Sequence, residues 1–125
     1  MGWEFAELLG MHQKSMGDGR ARFELAVDTK HLNPNGVLHG GVIYSLADTA
    51  MGAALFSLLD GQDRCSTLEI KMSYLQPVTG GSIAVEASVV QRTKRIGVLE
   101  ARVFGDGDQM VALATGTFYI QTARI

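Results

Sequence analysis

Residues 37–59 read VLHGGVIYSLADTAMGAALFSLL, and this run decides the fold. The run is too long for a strand, and apolar or small residues occupy nearly all of it. Such a pattern is typical of a helix that is buried on most of its faces. A membrane span is the alternative, since the length suffices. The single charged residue, Asp48, opposes that alternative because a carboxylate in mid-membrane is costly. We therefore predict a central helix in a protein core, and no membrane partner.

The segments on both sides of this helix predict strands. Apolar and polar residues alternate, as in half-buried strands, over four segments: 20–28, 67–74, 83–90 and 99–103. A fifth strand is predicted over 110–120, a short helix over about 3–11, and a loop over 31–36. The connections after the central helix are short, which favours antiparallel pairing. The predicted fold is α+β, a single domain over residues 1–125 with an antiparallel sheet curled around one helix.

In the first strand after the central helix, the alternation assigns residues to faces. It puts Leu68, Ile70, Met72 and Tyr74 on one face and Thr67 on the other.

Composition and charge exclude several classes of protein. Of the 125 residues, 46% are hydrophobic, which excludes a disordered chain. A formal net charge of −2 gives no field that attracts nucleic acid, so no nucleic-acid partner is expected. Cys65 is the one cysteine, and the three histidines (His12, His31 and His39) lack metal-ligand spacing, so no disulfide, metal or cofactor is expected. The first residues do not resemble a signal peptide, and we expect a cytoplasmic protein.

Asp48 is the first candidate for chemistry. A carboxylate within a buried helix is costly to desolvate unless it is paired or has a function. No Lys or Arg lies within four residues of it, so a local helical ion pair is unavailable. The alternative is a structural carboxylate that caps the backbone of another element or faces solvent at a kink.

The sequence His39-Gly40-Gly41, where the loop becomes the helix, is the second candidate. Amide N–H groups are free at the start of a helix, and glycine lets a ligand approach them. Such amides can polarise a carbonyl and hold an oxyanion. The alternative is that the two glycines ease a tight turn and that His39 is an ordinary loop histidine.

The spacing of these two candidates predicts a dimer. Eight residues of helix separate Gly40 from Asp48, which is roughly 12 Å along the axis. A carboxylate and an oxyanion donor that act on one carbonyl must each lie about 3 Å from it. If both act, a two-fold partner must bring its Asp48 to this subunit's Gly40.

Arg92, Lys94 and Arg95 form a third candidate, a basic cluster at a strand end. Such a cluster suits the phosphates of a ligand. A solvated turn is the alternative.

Two stretches, NPNGVLHGGVIYSLAD at 33–48 and KMSYLQP at 71–77, resemble hotdog-fold acyl-CoA thioesterases of the PaaI (phenylacetyl-CoA thioesterase-like) group. The resemblance covers about residues 20–120. It rests on the His-Gly-Gly that opens the helix and on an acidic residue nine positions after the histidine. It implies a hotdog fold, an acyl-CoA substrate, and dimers that pair into tetramers.

The resemblance also implies roles for particular residues. Asp48 would be the nucleophile or general base on the thioester, and the Gly40 amide would polarise its carbonyl. Asn33 would help to place substrate or water, and Thr67 would assist. The flanking His39 and Gly41 belong to the same implied site, and Arg92, Lys94 and Arg95 would contact the phosphates of coenzyme A.

Two other functions are possible for a chain with this resemblance. A hotdog dehydratase would carry His-Phe-Pro-Gly and a glutamate further along its helix, and this chain has neither. A non-catalytic acyl-CoA sensor would keep the fold without a competent acid, and Asp48 argues against it. The acyl group is also open, because an aromatic or medium-chain acyl group would fit walls made by Tyr44, Met51, Phe56 and Met72.

Overall fold

The computed structural model describes residues 3–122. Two α-helices and six strands follow one another within these residues. They are α1 (Glu4–Leu9), β1 (Met11–Gly17), β2 (Arg20–Ala26), α2 (Gly40–Phe56), β3 (Arg64–Tyr74), β4 (Ser82–Arg92), β5 (Ile96–Phe104) and β6 (Met110–Gln121). The predicted single domain over residues 1–125 extends slightly beyond this part, since 1–2 and 123–125 lie outside the described residues.

All six strands form one antiparallel sheet in the order β1-β2-β4-β5-β6-β3, and α2 packs against it. Strands from both halves of the sheet contact the helix, so the sheet curls around one side of it. The predicted α+β architecture, a hotdog fold, is confirmed. No helix within residues 3–122 is long and apolar enough to cross a membrane.

Nine of the 17 residues of α2 are buried, because the sheet approaches one side of the helix closely. The other side, with Tyr44 and Phe56, is exposed, so the helix is less buried than its sequence predicts. Leu46, Ala50 and Leu55 are 0% exposed. Two strand glycines permit this approach: a Cβ at Gly97 would lie 2.9 Å from the Leu55 side chain, and one at Gly116 would lie 3.1 Å from the sulfur of Met51. A side chain at either position would push the sheet away from the helix.

The N-terminal segment differs from the prediction. The predicted helix over about 3–11 ends earlier, at Leu9, and Gly10 terminates it in a left-handed conformation (φ 82°). Met11–Gly17 then forms an edge strand that is absent from the predicted elements. Only Met11 in this strand is buried, so the alternation that marks a strand is absent. A turn at Asp18 and Gly19, both with positive φ, joins it to β2 and was the available signal.

Strand β3 contains a bulge that changes which residues face the helix. Its pairing with β6 shifts between Thr67 and Glu69, so Leu68 is the extra residue. Before the bulge Thr67 pairs with the buried Phe118, and after it Ile70 pairs with Gly116 beneath the helix. The predicted single alternation is therefore wrong at this point. Leu68 is 59% exposed, and Thr67 faces the helix.

Candidate functional site

Asp48 finds its partner on the neighbouring strand. The Thr67 hydroxyl donates a hydrogen bond of 2.6 Å to Oδ1 of Asp48. The bulge in β3 makes this contact possible, because it turns Thr67 towards the ninth residue of α2. Hydrogen bonds to an ionised carboxylate are short and strong, so Thr67 fixes the orientation of this carboxylate.

The Asp48 carboxylate lies on the wall of a cavity of about 550 Å³. Thr67 and Cys65 lie on the same side, and Phe56 and Phe118 provide apolar walls. The size is that of a small-molecule site. Gln13, Thr49 and Arg64 also line it, so polar groups lie beside the apolar walls. Of the four residues suggested for an acyl pocket, Phe56 lines this cavity. Met51 does not, because it is 0% exposed and packs in the core.

Cys65 is a second potential nucleophile in this cavity, but its thiol is unreactive at neutral pH. Burial raises the pKa of its thiol, and the neighbouring Asp48 carboxylate raises it further. The thiol therefore stays protonated at neutral pH, whereas the thiolate is the nucleophilic form. Asp48 is the better candidate for reaction with a thioester.

At the start of α2, the backbone N–H of Gly40 has no hydrogen-bond partner within residues 3–122. Nδ1 of His39 accepts the Gly41 N–H at 2.8 Å, and the His39 carbonyl accepts the Val42 N–H at 2.9 Å. The Gly40 N–H makes no hydrogen bond to any residue in the range 3–122. The helix start therefore offers Gly40 as its free donor, while His39 caps the helix and takes up Gly41.

Tyr74 holds Gly40 in place, a role that no pattern in the sequence predicts. Its hydroxyl donates to the Gly40 carbonyl at 2.8 Å, and its ring covers the Gly40 Cα. Burial raises the pKa of this hydroxyl, with a further contribution from Tyr44, so it remains a donor at neutral pH. Gly40 and Tyr74 line a small cavity of about 280 Å³, separate from the cavity at Asp48.

Asn33 builds the loop that precedes the helix. Its Oδ1 accepts the N–H groups of Asn35 at 2.9 Å and of Val37 at 3.2 Å. A side chain that bonds its own loop in this way stabilises a turn. Its hydrogen bonds connect it to this loop and not to Asp48.

The basic cluster lies at the far end of α2. Arg92 ends β4, and its guanidinium reaches the Leu58 carbonyl just after the helix at 3.4 Å. Arg95 reaches the Tyr119 hydroxyl at 3.3 Å, and Lys94 is exposed. Because α2 has 17 residues, the cluster and Gly40 are roughly 25 Å apart along its axis. One protomer therefore brings Asp48 and Thr67 together, and separates them from Gly40 on one side and from the basic cluster on the other.

Comparison with known proteins identifies the family. The family model of the thioesterase superfamily matches residues 35–112, so the chain belongs to this superfamily. Its activity class is that of a thioester hydrolase.

Solved structures agree with this assignment. A conserved protein of Pseudomonas aeruginosa is 37% identical with a TM-score of 0.89, over 93% of this chain and 92% of that chain. The PaaI protein from the phenylacetic acid degradation operon of E. coli is 27% identical with a TM-score of 0.88, over 96% and 85%. A mutant of the phenylacetic acid degradation protein PaaI of Thermus thermophilus is 29% identical with a TM-score of 0.86, over 93% and 97%.

Proposed function

We propose that this protein is an acyl-CoA thioesterase that hydrolyses an aryl- or medium-chain acyl-CoA to the free acid and coenzyme A. The observation that carries the proposal is the Asp48 carboxylate, held by Thr67 and facing an apolar cavity. A sensor that only binds acyl-CoA has no need of an oriented carboxylate in its ligand cavity.

In the proposed reaction Asp48 acts directly on the thioester or on a water molecule. As a nucleophile it forms an acyl anhydride and expels the thiolate, which takes a proton from water, and a water molecule then cleaves the anhydride. As a general base it takes a proton from the water that attacks the carbonyl carbon; the C–S bond then breaks and the proton passes from Asp48 to the departing thiolate. On either route one water is consumed, and the products are the free acid and the thiol of coenzyme A. Thr67 orients the carboxylate in both.

The developing oxyanion needs a donor, and the Gly40 N–H is suited to the role. It is the amide without a partner within residues 3–122 at the positive end of α2, and Tyr74 holds the following peptide through the Gly40 carbonyl. The implied roles of His39, Gly41 and Asn33 are indirect in this proposal. His39 caps the helix so that Gly40 is presented, Gly41 allows the close cap, and Asn33 shapes the loop before it.

The proposed active unit is a dimer, because Gly40 and Asp48 of one helix are roughly 12 Å apart. Strand β3 supports this proposal. It is an edge strand of 11 residues whose outer backbone groups have no neighbouring strand within residues 3–122. Long unprotected edges are surfaces on which a second chain adds. Strand β3 carries Thr67 and Tyr74, so pairing there puts both halves of the site at the interface. Further pairing into tetramers and a cytoplasmic location stay predictions.

We assign the phosphates of coenzyme A to Arg92, Lys94 and Arg95. These side chains lie beyond Asp48, at the end of α2 opposite Gly40. Within residues 3–122 the guanidinium groups of Arg92 and Arg95 make only long contacts. An extended ligand whose thioester lies near Asp48 can reach them with its distant nucleotide.

A panel of aryl- and straight-chain acyl-CoA thioesters tests the proposed function. Release of free thiol from at least one class, with water addition to crotonyl-CoA absent, is the expected result. Tight binding without hydrolysis identifies the sensor, and hydration of crotonyl-CoA identifies the dehydratase.

A further inference from the structure

A second cavity lies next to the one that contains Asp48. It has a volume of about 730 Å³ and lies between α1, β1 and the buried ring of Phe23. Three residues line both cavities: Trp3, Gln13 and Met16. These three side chains are therefore the partition between the two spaces.

The partition is built from the N-terminal segment and not from the catalytic helix. Trp3 stands at the start of α1 and is 50% exposed, and Met16 lies on β1 and is 42% exposed. Neither side chain is locked in the core, so each can be shortened without opening a buried void. The indole provides the largest apolar surface of the three.

The other end of α1 is fixed firmly. His31 is 2% exposed, and its Nδ1 accepts the Asp28 N–H at 2.8 Å. Its Nε2 therefore carries the proton and donates to the Leu9 carbonyl at 2.7 Å. This tether holds the end of α1 to the loop that leads to α2, so Trp3 projects from an anchored helix.

We propose that Trp3, with Met16, is the wall that ends the acyl part of the site and sets the longest acyl chain accepted. The inference rests on the proposed acyl-CoA thioesterase activity and names its specificity-determining residue. Acyl groups that fit the Asp48 cavity bind against the indole. Longer chains are refused because the space beyond, under α1, is closed off by the same side chain.

The test is a series of saturated acyl-CoA substrates from butyryl-CoA to palmitoyl-CoA, measured as kcat/KM. Each methylene moved from water into an apolar site is worth about fourfold. Trp3→Ala joins the two cavities, so the ratio of kcat/KM for palmitoyl-CoA over butyryl-CoA rises by about tenfold or more. Met16→Ala, which thins the same wall, shifts the profile in the same direction.

Phe5→Ala is the matched control. Phe5 lies on the same helix, is 56% exposed and lines neither cavity. The chain-length profile of the Phe5→Ala variant therefore matches that of the parent. Unchanged profiles in both Trp3→Ala and Met16→Ala, with an active parent, overturn this inference alone. A parent that hydrolyses no acyl-CoA overturns the proposed function and this inference with it.

Trp3 also supplies a direct readout, since it is the only tryptophan in the chain. In an Asp48→Asn protein that does not consume its ligand, octanoyl-CoA shifts the tryptophan emission to shorter wavelength because the acyl chain desolvates the indole. Coenzyme A without an acyl group leaves the emission unchanged. Identical emission with and without bound octanoyl-CoA contradicts the assignment of Trp3 to the acyl wall.

Discussion

Replacing Gly40 with proline removes one hydrogen-bond donor from the proposed site while keeping the backbone of α2. Gly40 is the first residue of the helix, where an N–H has no intrahelical partner. Proline is well tolerated at this position and asks for extended backbone at the residue before it. His39, with φ −64° and ψ 133°, already has that conformation.

Gly40→Ala is the matched control for the added carbon atoms. A Cβ at this position lies 3.0 Å from Cζ and 3.1 Å from the hydroxyl oxygen of Tyr74, so the ring must shift in both variants. Alanine retains the N–H and proline lacks it. The difference between the two variants therefore measures the donor, and the shared crowding cancels.

Loss of one oxyanion donor lowers kcat by about 10²–10³-fold. We expect a difference of that size between the proline and alanine variants, with similar KM values, because the donor acts mainly on the charge that develops in the transition state. Steady-state release of free thiol gives both constants, and circular dichroism with urea unfolding confirms that both variants fold. Equal kcat values in two folded variants refute the role of the Gly40 amide.

Three other variants test separate parts of the account. Asp48→Asn can keep the hydrogen bond to Thr67. It lowers kcat by at least about 10²-fold, since the amide is neither nucleophile nor base. Turnover equal to that of the parent in the folded variant would mean that Asp48 has a structural role only. Replacing Arg92, Lys94 and Arg95 by alanine raises KM for acyl-CoA about tenfold at low salt and leaves kcat unchanged, whereas a KM independent of both salt and substitution identifies a solvated turn. His31→Ala leaves the Leu9 carbonyl and the Asp28 N–H unpaired, and lowers the free energy of unfolding by about 2–5 kcal/mol in urea titrations. His12→Ala, at an exposed position, is the control. Equal urea midpoints for the His31→Ala and His12→Ala variants contradict the proposed tether.

The architecture was predictable because its strongest signal is local. An apolar run with one carboxylate predicts a buried helix, and α2 occupies 40–56 of the predicted 37–59. Strand β1 was not predictable from alternation, since six of its seven residues are exposed. An edge strand with one buried side chain carries the polar sequence of a loop, and only the turn at Asp18 and Gly19 indicates a hairpin.

The sequence offers candidate residues for the site but does not give their geometry. Alternation put Thr67 on the face away from the helix, while the resemblance gave it a place in the site. The bulge at Leu68 turns Thr67 towards the helix and so explains why alternation fails there. A one-residue irregularity of this kind cannot be recognised in a single sequence. The position of the basic cluster at the far end of α2 and the tether from Tyr74 to Gly40 depend on contacts over 34 residues, which no local pattern encodes.

Mixing two inactive variants tests the shared site most directly. One subunit carries Asp48→Asn with an intact Gly40, and the other carries Gly40→Pro with an intact Asp48. If each site combines Asp48 of one chain with Gly40 of its partner, the heterodimer contains one intact site and regains about half the parent's turnover per dimer. Heterodimers that form, as shown by differential tags, and yet stay as inactive as either parent variant place both residues of one chain in one site and contradict the shared arrangement.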